Sequence, residues 1–212
     1  MAPSLSAPAD FAAEKRRLRA DALARRAAMG EEGRRLASAA AAVHARAAIG
    51  AGPRAGRTIA LFAPFRDEID TFPLAAALRA DGARLALPVI LGRDQPLLFR
   101  LWQVEDPLLP QGAYGIPTPV GTAPEVTPDL VVVPLAAFDR LGGRIGYGAG
   151  FYDRTLARLR AAGAVTALGY AFACQEVPQV PAEAHDEPLD MMITERGALP
   201  RPRPFSRPCP GP

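Results

Sequence analysis

Residues 130–162 read LVVVPLAAFDRLGGRIGYGAGFYDRTLARLRAA, and this stretch decides the fold. Leu130-Val131-Val132-Val133 is a short, wholly apolar run closed by Pro134, the pattern of a strand covered on both faces. A Gly-rich segment follows and opens a helix over residues 151–162. Strand, glycine turn and helix form the unit from which layered α/β folds with parallel sheets are built.

The same alternation continues on either side. After the breaker stretch 50–56, Thr58-Ile59-Ala60-Leu61-Phe62 reads as a buried strand. Residues 71–81 read as a helix ended near Gly82, and Arg84 to Leu87 as a short strand stopped by Pro88. Leu97 to Trp102, Val165 to Phe172 and Met191 to Thr194 are further strand candidates. Residues 105–128 hold six prolines and three glycines, which predicts a long ordered loop. Ahead of the first strand, Asp10 caps a helix over 10–29 marked by Phe11, Leu18 and Leu23. A second helix spans 31–49, with Leu36, Val43 and Ile49 among alanines. The expected fold is α/β: a layered α/β/α arrangement with a largely parallel central sheet and two N-terminal helices. A single domain is expected over 10–198, with 1–9 and the Pro-rich 199–212 as flexible tails.

Composition narrows the function. Among 25 basic residues Lys15 is the only lysine, so this chain uses arginine wherever it can. Residues 1–57 hold eleven basic residues against five acidic ones, and the remainder is acidic overall. A basic N-terminal part suits nucleic acid, a membrane surface or a polyphosphate ligand, or is simply a solvated helix face. Phe11 is its only aromatic residue, so no stacking platform for nucleic acid is visible. Two cysteines, Cys174 and Cys209, form neither a disulfide framework nor a metal cluster, which fits a reducing cytosol. No apolar run of about 18 residues exists, so no membrane partner is expected. Arginines interrupt the first thirty residues where a signal peptide needs an apolar core.

The Gly-rich segment carries the chemistry. Glycines 146, 148 and 150 let the backbone approach a ligand, and the helix that follows offers unpaired N–H groups and a positive dipole end. Together they form an anion cradle, to which Arg144 can add a bidentate phosphate contact. Asp153, in the first helical turn, can hold Mg²⁺. The competing reading is a tight turn with no ligand and Asp153 as an ordinary helix-start charge. The segment is not a Walker A loop, because no Gly-Lys-Ser/Thr is present, and its GxGxG spacing fits a dinucleotide fingerprint poorly.

The run Phe138-Asp139, Gly142, Arg144-Ile145-Gly146-Tyr147-Gly148, Gly150-Phe151-Tyr152-Asp153-Arg154 resembles the signature of the 5-formyltetrahydrofolate cyclo-ligases. Other pieces agree in order: Lys15-Arg16 with Leu18-Arg19, Asp67-Glu68-Ile69-Asp70-Thr71, Leu87-Pro88-Val89, Tyr114-Gly115-Ile116-Pro117, Gln175, His185-Asp186 and Ile193-Thr194-Glu195. The resemblance covers about residues 13–196. It implies an enzyme that uses ATP and Mg²⁺ to cyclise 5-formyltetrahydrofolate to 5,10-methenyltetrahydrofolate, through a phosphorylated formyl group. The alternative is a relative that binds folate or nucleotide without turnover.

By the same resemblance, Lys15, Arg144 and Tyr152 are catalytic. Nucleotide contacts fall on Lys15, Arg16, Arg17, Leu18 and Arg19, and on Arg144, Ile145, Gly146, Tyr147, Gly148, Ala149, Gly150, Phe151 and Tyr152. Folate contacts fall on Ala63, Glu68, Gly148, Ala149, Gly150, Phe151 and Tyr152, and metal contacts on Asp153 and Asp186. The partner is a small-molecule folate, with no nucleic acid and no membrane, and the chain is expected to be a cytoplasmic monomer. Three positions depart from the family pattern: Ala149 replaces Gly or Lys, Phe151 replaces a Tyr and Thr118 replaces a Glu.

Overall fold

The central strands are apolar on both faces, and the helices divide between those faces. The computed structural model describes residues 10–50, 56–103, 105–111 and 115–202. The expectations for tails 1–9 and 203–212, for Tyr114 and for Cys209 lie outside the described residues.

The chain opens with a helical hairpin, α1 (Phe11–Ala27) and α2 (Glu31–Ile49), turned at Gly30 with φ 70°. Next come β1 (Thr58–Ala60), α3 (Phe72–Ala80), β2 (Arg84–Val89), β3 (Leu98–Leu101), β4 (Leu108–Gln111) and β5 (Ile116–Pro119). Then follow β6 (Leu130–Val133), β7 (Ala137–Phe138), β8 (Arg144–Ile145), α4 (Phe151–Ala162), β9 (Thr166–Tyr170), β10 (Met191–Thr194) and β11 (Gly197–Pro200). Seven strands form the main sheet in the order β11-β10-β9-β6-β1-β2-β3. The inner five are parallel, and β3 and β11 close the edges antiparallel.

Side-chain alternation assigns the layers. Leu130 and Val132 face the same way as Ile59, Leu85 and Tyr170, and pack against Ala41, Ala42 and Ala45 of α2 and Leu74 and Leu78 of α3. Val131 and Val133 face the other way and pack with Leu156 and Leu159 of α4. The fold is therefore the expected α/β/α arrangement. Leu156 is fully buried, and its truncation to alanine costs about 2–5 kcal/mol. Helix α1 joins neither layer: Leu18 and Ala22 pack on Ala137, Ile145, Val177 and Val180, over the loops that follow the strands.

Several boundaries differ from the sequence reading. Strand β2 runs through Pro88 to Val89, because its ladder with β1 ends at Ala86 and a missing N–H costs nothing on that side. The proline-rich stretch 105–128 contains a hairpin, β4 with β5, where Pro110 sits opposite Pro117 and Leu108 opposite Pro119. These are the non-hydrogen-bonded pairs of an antiparallel ladder, so every proline avoids a donor position. Strand β11 carries ordered chain past residue 198 to Pro200, and the Arg201 N–H donates to the Asp190 carbonyl.

Candidate active site

In parallel sheets the loops leaving the carboxyl ends of the strands gather at one edge, where α/β folds place ligands. Here those loops are 61–71 after β1, 134–150 after β6 and 171–190 after β9. Helix α1 lies across them. Its spacing puts Lys15, Leu18, Arg19, Ala22 and Arg26 on the inner face.

Between them, the cations on that face hold all three loops. Lys15 Nζ donates to Asp186 Oδ2 at 2.6 Å and Glu183 Oε2 at 2.8 Å. Burial works against the Lys15 ammonium, but its bonds to Asp186 and Glu183 outweigh this and raise its pKa above the usual lysine value. Arg19 Nε donates to the Gly146 carbonyl at 2.8 Å. Arg26 donates to the Tyr147 hydroxyl at 2.7 Å and to Asp67 Oδ1 at 2.6 Å. Arg17 turns outward and pairs with Glu14 and Asp21, and Arg16 is exposed.

The glycine loop is built by β7 and β8. Asp139 fixes that hairpin: its Oδ1 accepts from the N–H groups of Leu141 and Gly143, and its Oδ2 from Val180. Gly148 and Gly150 have φ of 99° and 66°, whereas Gly146 lies outside the left-handed region, with open space at its Cβ position. Gly150 starts α4, and no side chain caps the helix among the described residues. The first N–H groups of α4 therefore face the loop unpaired, as an anion cradle requires. Arg154 steadies the loop by donating to the carbonyls of Ala149 and Arg93.

Arg144 does not project into that cradle. Its guanidinium is almost wholly buried and donates to Asp153 Oδ1 at 2.6 Å and to the Glu187 carbonyl. Burial lowers its pKa against the opposing charges of Asp153, Asp186 and Glu187. Asp153 Oδ1 also accepts from the Glu187 N–H at 3.1 Å, and Asp186 Oδ2 from the Glu183 N–H at 2.8 Å. Each aspartate thus commits one oxygen and leaves the other without a hydrogen bond among the described residues. A carboxylate oxygen left open in this way is the donor type that Mg²⁺ takes, one or two at a time, with water and phosphate filling the octahedron. Glu183 and His185 stand beside Asp186, with ligand atoms within 4.8 Å of one another.

At the other end of α1, Glu68 shares a narrow recess with Arg26, Phe62, Leu135, Tyr170 and Gln175. Its Oε2 accepts from the Phe65 N–H at 2.9 Å. Burial raises the Glu68 pKa; the Tyr147 hydroxyl and the Phe65 N–H pull it back. Burial, reinforced by the Glu68 charge, keeps the Tyr147 and Tyr152 phenols protonated far above neutral pH. Ala63 is buried beside the recess loop. Arg66 is the only described non-glycine residue at positive φ, 57°, and its guanidinium stacks on Phe65.

The family model for 5-formyltetrahydrofolate cyclo-ligases matches residues 11–195. The chain belongs to the 5-formyltetrahydrofolate cyclo-ligase family. The Escherichia coli K12 cyclo-ligase is 37% identical over 142 residues, 65% of this chain and 77% of that protein. The Haemophilus influenzae cyclo-ligase is 34% identical over 145 residues, 66% of this chain and 77% of that protein. The solved Aquifex aeolicus 5,10-methenyltetrahydrofolate synthetase superposes with a TM-score of 0.72 at 28% identity, covering 92% of this chain and 96% of that one. As a cyclo-ligase family member the chain is an enzyme, and no described helix is long and apolar enough to cross a membrane.

Cyclo-ligase chemistry needs two ligand regions side by side, and the structure brings the sequence-selected groups into two. Lys15, Arg19, Asp186, Asp153 and Arg144 gather with the glycine loop, and Glu68 lines the recess, with Ala63 buried in the same loop after β1. Arg16 and Arg17 stay apart from both. Sequence reasoning missed Arg26, although its place eleven residues after Lys15 put it on the inner face of α1.

Proposed function

We propose that the chain converts 5-formyltetrahydrofolate to 5,10-methenyltetrahydrofolate with ATP and Mg²⁺, releasing ADP and phosphate, and that residues 10–198 act as one monomeric catalytic domain. The observation that carries this reading is the convergence on α1 of a cation face, the uncapped start of α4 and the Glu68 recess.

ATP phosphates lie along the glycine loop, with the first N–H groups of α4 as donors and Lys15 and Arg19 as cations. Asp153 and Asp186 would hold Mg²⁺, which would supply charge neutralisation at the phosphates. Arg144 fixes Asp153, and Lys15 exchanges its carboxylate partners for phosphate oxygens. Glu68 and Ala63 hold the folate, with Tyr152 at the junction. The formyl oxygen attacks the γ-phosphorus and ADP departs. N10 then attacks the activated carbon and loses its proton, and the formyl oxygen leaves on phosphate. Such chemistry rests on positioning and charge neutralisation and needs no protein nucleophile. Accordingly, the chain offers only His44 and His185 as imidazoles, and His185 is exposed.

The test is a turnover assay with 5-formyltetrahydrofolate that follows the near-ultraviolet absorbance of the methenyl product. A rise requiring both ATP and Mg²⁺ is the expected result. Folded protein that binds folate or nucleotide but gives no product would overturn catalysis and leave a binding relative.

A further inference from the structure

Arg26 belongs to none of the roles above, yet it is the most buried cation of α1, with 4% of the residue exposed. Burying a guanidinium is expensive, and an apolar side chain at this position would serve packing at lower cost. Leu18 and Ala22 already anchor α1 to the hairpin beneath it. What Arg26 does instead is reach two loops at once. One terminal nitrogen donates to the Tyr147 hydroxyl at 2.7 Å, in the glycine loop. The other donates to Asp67 Oδ1 at 2.6 Å, in the loop that carries Glu68. Asp67 is the chain neighbour of Glu68, and Arg26 and Glu68 line the same recess. Arg26 Nε, by contrast, is buried without a hydrogen-bond partner among the described residues, so the side chain is set by its two terminal bonds.

We infer that Arg26 is a positioning residue for the folate: through Tyr147 and Asp67 it fixes the Glu68 carboxylate at the mouth of the recess. This rests on the cyclo-ligase reading, in which Glu68 binds the folate. Three elements that are distant in sequence, α1, the loop after β1 and the glycine loop, meet at this one guanidinium. The planar fork is essential, because an ammonium is a point charge that cannot span both partners. The Tyr147 ring is half exposed while its hydroxyl points inward to Arg26. Tyr147 therefore stands at the border of the two ligand regions, with its hydroxyl committed to the folate side.

The test measures folate affinity by titration calorimetry without nucleotide, alongside turnover, in Arg26→Gln, Arg26→Lys, Tyr147→Phe and the Arg26→Gln/Tyr147→Phe double variant. Each single variant should weaken 5-formyltetrahydrofolate binding about tenfold, the worth of one hydrogen bond to a charged group. The double variant should be no weaker than Arg26→Gln alone, because Tyr147→Phe breaks a link that Arg26→Gln already removes. In the Arg26 variants the KM for ATP should move by no more than about twofold. Tyr147→Phe removes one oxygen atom and keeps the ring, so it reads the link even if Arg26→Gln fails to fold. Unchanged folate affinity in Tyr147→Phe, full affinity in Arg26→Lys, or additive losses in the double variant would each overturn the inference. Wild-type protein that binds folate but does not turn it over would overturn the catalytic reading and leave the affinities to judge Arg26. Wild-type protein that does not bind folate would overturn both.

Discussion

Lys15 Nζ lies 2.6 Å from Asp186 Oδ2, a bond that joins residues 171 positions apart and ties α1 to the loop ahead of β10. The ammonium is the single lysine of a chain that otherwise uses arginine. A compact, rotatable ammonium can exchange a carboxylate for a phosphate oxygen in a way that a planar fork cannot. Lys15→Ala and Lys15→Arg should therefore both raise the KM for ATP, by about tenfold or more, with folate affinity little changed. Initial-rate kinetics at saturating folate would check this.

Glu68 should trade stability for function. Its folded pKa lies above the ordinary 4.5 because burial opposes the carboxylate. The folded chain therefore holds the proton more tightly than the unfolded one. The resulting stability is fully present below pH 4.5 and is lost as pH rises through the folded pKa. Glu68→Gln keeps the acceptor and removes the charge. Urea unfolding should find it more stable than wild type at about pH 8, with the gap closing toward the acid side. Folate affinity should fall in the same variant.

Arg144 is expected to act through Asp153. Arg144→Lys retains the charge but cannot hold both Asp153 and the Glu187 carbonyl. Turnover should drop about 10–100-fold, and the Mg²⁺ concentration for half-maximal rate should rise, as for other residues that orient a metal ligand. A Mg²⁺ titration of the rate would measure both effects.

The glycines of the loop should not be equivalent. A Cβ at Gly150 would lie 2.8 Å from Arg154 Nη1, at φ 66°, whereas Gly146 has open space. Gly150→Ala should cost about 1–2 kcal/mol and loosen the Arg154 clamp on Ala149. Gly146→Ala should fall within about 0.5 kcal/mol of wild type. Thermal melts of the two variants would separate them.

Much of this arrangement was legible in the sequence where one residue type has one meaning. The Leu130–Val133 run was read correctly as a strand covered on both faces, and α2 and α4 have the boundaries that their patterns gave. Prolines misled twice. Pro88 and the prolines of β4 and β5 were read as strand breakers, but whether a missing N–H matters depends on which edge of the ladder it faces. That is fixed by pairing, and pairing is not local. At the site, the glycine loop and the acidic residues were visible as a motif, whereas the division of labour along α1 was not. Arg16, Arg17, Arg19 and Arg26 look alike in a string, yet only the last two face inward. Arg144 suggested a phosphate ligand, and its burial against Asp153 emerges only once β8 is packed beneath α4.

The lone lysine has a practical consequence. In this chain Lys15 is the sole ε-amine, and only an α-amino terminus shares its chemistry. Reductive methylation with isotope-labelled formaldehyde would therefore place one side-chain label in the molecule, at the junction of α1 with Asp186 and Glu183. The resonance of that dimethylated amine would follow its neighbours, so that replacement of carboxylates by a nucleotide could be watched directly in solution. Arginine-rich composition has in effect left a single side-chain reporter at the point where the nucleotide is expected to bind.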